Sequence, residues 1–122
     1  MRVMVFVKAT ADSEKGFVLT PQMKEMMEAM DRFNEELVKA GIMKPGDCDG
    51  LKPSSDGKRV AFDGADRKVI DGPFDGDLVA GFWHWTVKDM DEAVEWGKRC
   101  PNPMPGPSEI EIRPIEDMAD VR

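Results

Sequence analysis

This chain has no tyrosine, one histidine and two cysteines. With His84 as its only imidazole, acid–base or metal chemistry must rest on carboxylates or be absent. Cys48 and Cys100 lie far apart and form no CxxC pair, which excludes a zinc cluster and a dithiol redox motif. Two reduced thiols in a cytoplasmic protein are expected. Long apolar runs are missing too. The run Val3–Val7 is too short for a signal-peptide core or a membrane span. Positive charge is in deficit: Lys+Arg 17 against Asp+Glu 24 leaves −7. That sign argues against nucleic acid or anionic lipid as a partner.

What is present fits one globular domain. The chain has 122 residues, 41% hydrophobic and 34% charged, enough to bury roughly two-thirds of its unfolded surface. The domain is placed at 1–115, with 116–122 as a loose tail. Val3–Val7 reads as a strand and Ala9–Leu19 as a loop. Thr20-Pro21 then opens a helix. Met23, Met26, Met27, Met30, Phe33, Leu37 and Ala40 recur along one face, and Gly41 ends it.

Ile42–Ser55 holds a short irregular strand. Arg59–Phe62 and Arg67–Ile70 flank an Asp-Gly turn as a hairpin. Leu78–Val87 is a strand that is apolar on both faces. Asp89 with Glu92 starts a second helix, with Met90, Ala93, Val94 and Gly97 inward, and Pro101 stops it. Asn102–Pro107 is an extended linker, and Glu109–Arg113 alternates as a half-buried strand.

Two long helices among strands describe an α+β ferredoxin-like two-layer sandwich. Such a sandwich leaves one sheet face wet. Here Met4 and Phe6 oppose Val3, Val5 and Val7, while Ala80 and Phe82 oppose Val79, Trp83, Trp85 and Val87. Two helices cover only one face. A homodimer through the open sheet face is therefore expected.

Asp71-Gly72-Pro73-Phe74 followed by Ala80-Gly81-Phe82-Trp83 is the most specific local text. In order along the chain it joins Met1-Arg2-Val3-Met4, Phe33–Gly41, Leu51–Ser55, Glu95-Trp96, Arg99–Pro103 and Glu109–Pro114. Together these segments resemble the YCII-related family, in its DGPF-domain branch. The resemblance implies a ferredoxin-like fold assembled as a dimeric α/β barrel. It also implies a functional link to an extracytoplasmic-function sigma factor, and kinship of fold with muconolactone isomerase-like and small monooxygenase-like proteins. The family pattern pairs a histidine early in the first helix with an aspartate near the end of the second. The matching places here hold Met23 and Cys100-Pro101, so that pair is not carried over.

The candidate catalytic residues are Asp71, at a pocket mouth or as a turn cap, and His84, as a base or as a packed strand residue. Candidate ligand contacts are Asp71, Gly72, Pro73, Phe74, Trp83 and Trp85. The methionine stripe can serve as an adaptable binding surface, but its helical spacing reads first as core. No metal site and no cofactor are expected. The expected partners are a second copy and a small-molecule ligand, with no direct nucleic acid and no membrane. The leading reading is a small-ligand-binding or regulator-associated module without clear catalytic machinery. The alternative is an enzyme doing acid/base chemistry on a small organic substrate in the barrel cavity.

Overall fold

Alternation in the first apolar run decides how the sheet is built. The computed structural model describes residues 1–16 and 18–121. Strand β1, Arg2–Lys8, buries Val3, Val5 and Val7 and leaves Met4 and Phe6 half-buried on the other side. Beyond it, Ala11–Glu14 forms a one-turn helix, α1. A loop was expected over this stretch. The helix is nucleated by a capping box, in which the Thr10 and Ser13 side chains satisfy each other's backbone N–H. Phe17, within the same stretch, lies outside the described residues.

Helix α2, Pro21–Lys39, starts as its sequence dictates: Thr20 Oγ1 accepts from the Met23 N–H, and Pro21 occupies the first helical position. It ends in a Schellman motif. The Ile42 N–H donates to the Leu37 carbonyl and the Gly41 N–H to the Val38 carbonyl. Gly41 takes the required positive φ of 74°. Only Phe33 and Leu37 of α2 are fully buried.

Strand β2 is short, Cys48–Gly50. A 3-10 turn at Ser54–Asp56 then leads into β3, Lys58–Asp63, and β4, Asp66–Asp71. Gly64, at φ 59°, sits at the first central position of their two-residue turn, the type II′ arrangement. Strand β5, Val79–Thr86, helix α3, Met90–Arg99, and strand β6, Ile110–Pro114, complete the domain. The Asp89 carboxylate caps α3 by accepting from the Glu92 N–H, while Glu92 accepts from Lys88. Val94, expected inward, is exposed, and Trp96 packs against the core in its place. Met118–Val121 is a further 3-10 turn; Arg122, the last residue of the expected tail, lies outside the described residues.

The main sheet runs β2-β5-β1-β6, antiparallel throughout. With β3–β4 set aside, this is the strand order of the ferredoxin-like α+β fold. Four strands make an open sheet, so one chain closes no barrel. The hairpin β3–β4 is not part of this sheet; it forms a separate two-stranded ribbon. Val3, Val5, Trp83, Trp85, Phe33, Leu37 and Ala93 meet between the sheet and the helices. Phe33 lies edge-on to both Trp83 and Trp85, with ring centroids 6.2 Å apart in each case. The opposite sheet face carries Met4, Phe6, Phe82 and His84 with no helix over it.

Candidate functional site: a methionine-walled groove

Burial divides α2 between two environments. Its C-terminal half carries the buried Phe33 and Leu37, whereas Met27 in its N-terminal half is 42% exposed. The apolar stripe continues through that N-terminal half, where Met23, Met26, Met27 and Met30 wall a groove instead of entering the core. The core expectation for these methionines is corrected accordingly; Met30 alone also packs against the buried cluster.

The groove has a volume of about 940 Å³. Met104, from the proline-rich linker, adds a fifth thioether; its sulfur accepts from Thr10 Oγ1 at 3.4 Å. Trp83 and Val7 contribute from the sheet, and Cys48–Pro53 forms the far wall. Gly50 and Gly81 face each other across β2 and β5 and leave that part of the floor without side chains. A Cβ at Gly81 would lie 3.0 Å from the Asp49 carbonyl oxygen, so any larger residue there would push the two strands slightly apart.

Polar and charged groups share the lining with the apolar ones: Glu14, Lys15, Asp31, Asn34, Asp49, Lys52 and Asp56 all border the groove. Trp83 Nε1 donates to Asn34 Oδ1 at 2.8 Å. Both Glu14 carboxylate oxygens accept from Ser54, one from its hydroxyl and one from its backbone N–H at 2.8 Å. The hydroxyl contact, then the backbone bond, holds the Glu14 carboxyl below its ordinary range. Cys48 has its thiol pushed up, first by burial and then by the charges of Asp49, Asp47 and Asp31, so it stays protonated and apolar in character. Among the described residues no group of histidine, cysteine, aspartate and glutamate is placed to hold a metal ion.

The residues singled out from sequence divide between two other places. Asp71 closes β4 at the base of the ribbon, where its exposed carboxylate pairs with Lys58 Nζ. Gly72, next in the chain, fits only as glycine, because a Cβ would collide with the Ser54 carbonyl. Gly72-Pro73 is a cis peptide, and the Phe74 N–H donates to Ser54 Oγ at 2.9 Å. The Arg59 guanidinium lies 3.9 Å over the Phe74 ring. Asp71 to Phe74 thus tie the ribbon to the Ser54 turn, and none of the four lines the groove.

His84 is on the open sheet face, paired with Met4 across the ladder. Its Nδ1 stands 3.5 Å from Asp47 Oδ2, and its backbone N–H donates to the Asp47 carbonyl at 2.9 Å. The carboxylate beside the imidazole is therefore Asp47; the structure does not bring Asp71 and His84 together. Trp83 lines the groove, while Trp85 is fully buried and its Nε1 has no hydrogen-bond partner. Sequence reasoning missed Asn34, Cys48 and Met104 as groove residues. Their only signal was the methionine stripe, an apolar face longer than the two α2 residues that the core buries.

A second, smaller cleft of about 660 Å³ borders β1 and β6. Lys8, its cation, is held by Asp77 at 2.9 Å and Glu111 at 3.6 Å. The hydrogen bond that Lys8 donates to Asp77, ahead of the opposing desolvation, raises the Lys8 pKa.

The fold and the groove define a ferredoxin-like α+β domain with a thioether-walled space under its first long helix. The chain belongs to the YCII-related family: the family model described as YCII-related domain matches residues 1–119. The match runs past 115, the expected domain end. No curated protein matches the chain.

Proposed function

We propose that this protein is a homodimeric module that binds a small, largely apolar molecule in the methionine-walled groove and carries out no reaction on it. The groove itself supports the reading most directly. It offers about 940 Å³ of space, walled by five methionines and Trp83, and that size suits a small organic ligand. Thioethers on flexible stems adapt to varied apolar shapes. The groups best suited to proton transfer, Asp71 and His84, lie outside this lining. Dimerisation joins the open sheet faces, as in a dimeric α/β barrel, and covers Phe6, Phe82 and Met4. Association with an extracytoplasmic-function sigma factor would make ligand occupancy a regulatory signal.

Nile red, a neutral lipophilic dye, tests the ligand site. Its emission should rise on binding and quench Trp83 fluorescence. Met26→Arg should weaken binding by about tenfold or more, because a buried guanidinium in an apolar wall is unpaired. His84→Ala should leave it unchanged. Absence of dye binding, or an unchanged affinity in Met26→Arg, would overturn the proposal.

One observation favours the alternative, acid/base chemistry on a small organic substrate in the barrel cavity. His84 stands beside Asp47 in the arrangement of a base and its orienting carboxylate. On that reading the substrate sits on the open sheet face, and His84→Ala abolishes turnover without affecting dye binding.

A further inference from the structure

Every residue of the β3–β4 ribbon is exposed. That is unusual for its composition. Register places Val60 opposite Val69 and Phe62 opposite Arg67, so Val60, Phe62 and Val69 share one face. Their exposures are 49%, 72% and 62%. Isolated two-stranded hairpins are marginal in water, and an uncovered apolar ribbon gains stability only when something packs on it. Meanwhile its base is firmly held. The Lys58–Asp71 pair and the Gly72 N–H to Gly57 carbonyl bond of 3.0 Å close its root, and the Phe74 N–H bond to Ser54 Oγ, with Ser54 in turn held by Glu14 of α1, ties that root to the domain. A ribbon anchored at the root and bare along its length is built as an arm.

We infer that this arm embraces a second copy of the chain, completing the dimer that the open sheet faces begin. The inference rests on the sheet-face dimer proposed above. Area supports the second copy as occupant. Four strands, each contributing about five residues, present a footprint of only about 300 Å². A stable interface needs about 800 Å² of accessible surface per partner. One face of a six-residue ribbon adds about 200 Å². Twofold symmetry uses each arm both as donor and as receiver, so the gain is about 400 Å² per protomer and the total approaches the required size.

Charge agrees. Positions 58–71 carry four cations, Lys58, Arg59, Arg67 and Lys68, against Asp63, Asp66 and Asp71. The arm is thus net +1 on a chain of −7, which leaves −8 on the body it would contact in the other copy.

Size-exclusion chromatography with light scattering and a sedimentation-derived Kd provides the test, using the full chain. Wild type should be a dimer. Phe62→Asp combined with Val69→Asp should weaken the dimer by about 30-fold or more, as loss of central apolar anchors does. Replacement of residues 59–70 by Gly-Gly should do the same. Unchanged near-ultraviolet dichroism from the buried tryptophans and unchanged Nile red binding would show that the body stays folded. Phe6→Asp probes the sheet face separately, since Phe6 lies on that face and does not line the groove. A dimer broken by Phe6→Asp but indifferent to both arm variants would overturn the arm and leave the sheet-face dimer standing. A dimer broken by the arm variants alone would overturn the sheet-face reading instead. A monomeric wild type would overturn both.

Discussion

Single residues set the chemical character of this protein, and its two thiols show how. Cys100 is pushed up to about 12 by burial alone, against an ordinary thiol value of about 8.5. Its Sγ also donates to the Pro101 carbonyl at 3.3 Å. At pH 8 the thiolate fraction is then only about one in ten thousand. A disulfide-exchange reagent such as DTNB should therefore modify Cys100 at least about 100-fold more slowly in the folded protein than in guanidinium. Cys48, raised less and nearer the surface, should react first. Equal rates at both thiols would contradict the burial described. The sign for stability follows from the same shift. The Cys100 contribution is complete below the unfolded pKa of about 8.5 and is lost as pH rises through the folded value. The Lys8 and Glu14 shifts arise at half-buried groups close to the surface and concern local ion pairing and hydrogen bonding.

At the scale of elements, the decisive one is α2, which is two things along its length. Its C-terminal half is a core helix, where Leu37 is fully buried and Phe33 nearly so. Its N-terminal half is the roof of a groove. Truncation should separate them: Leu37→Ala should cost about 2–5 kcal/mol in urea unfolding, whereas Met23→Ala should cost less than about 1 kcal/mol. Similar costs at the two positions would mean that the N-terminal half is packed as tightly as the core. The ribbon β3–β4 is the other unusual element. Its hairpin turn and its strands were legible in residues 59–70, because an Asp-Gly turn between β-branched residues is a local signal. Its departure from the main sheet was not legible. Which strand a hairpin pairs with depends on residues far away, here those of β1 and β2, which occupy both sides of β5.

For the whole molecule, the open sheet face and the uncovered arm pose one problem, to which the proposed twofold dimer is one answer. If folding and dimerisation are coupled, the midpoint of thermal unfolding should climb as protein concentration rises from about 1 to 100 μM, by mass action. A midpoint independent of concentration would show that the protomer is stable alone. The acidity has an equally global meaning. The charges sit on helix faces and turns, and no helix among the described residues is long and apolar enough to cross a membrane.

Local chemistry was enough to establish much of this architecture. Thr20-Pro21, Gly41 and Asp89 specify helix ends through hydrogen bonds to backbone groups a few residues away. Strict alternation in β1 and β5 makes both sheet faces apolar before any fold is known. The capping box at Thr10 was equally local, and was overlooked only because its partner is a serine. Distances across the chain were a different matter. Nothing near Met23 or Met104 in sequence says that they wall one groove, nor does anything near His84 point to Asp47 as its neighbour. Those pairings exist because packing brings α2, the Pro-rich linker and β2 around one space and because a ladder fixes register between distant strands. Burial, unlike capping, belongs to the assembled tertiary structure and not to any segment of it.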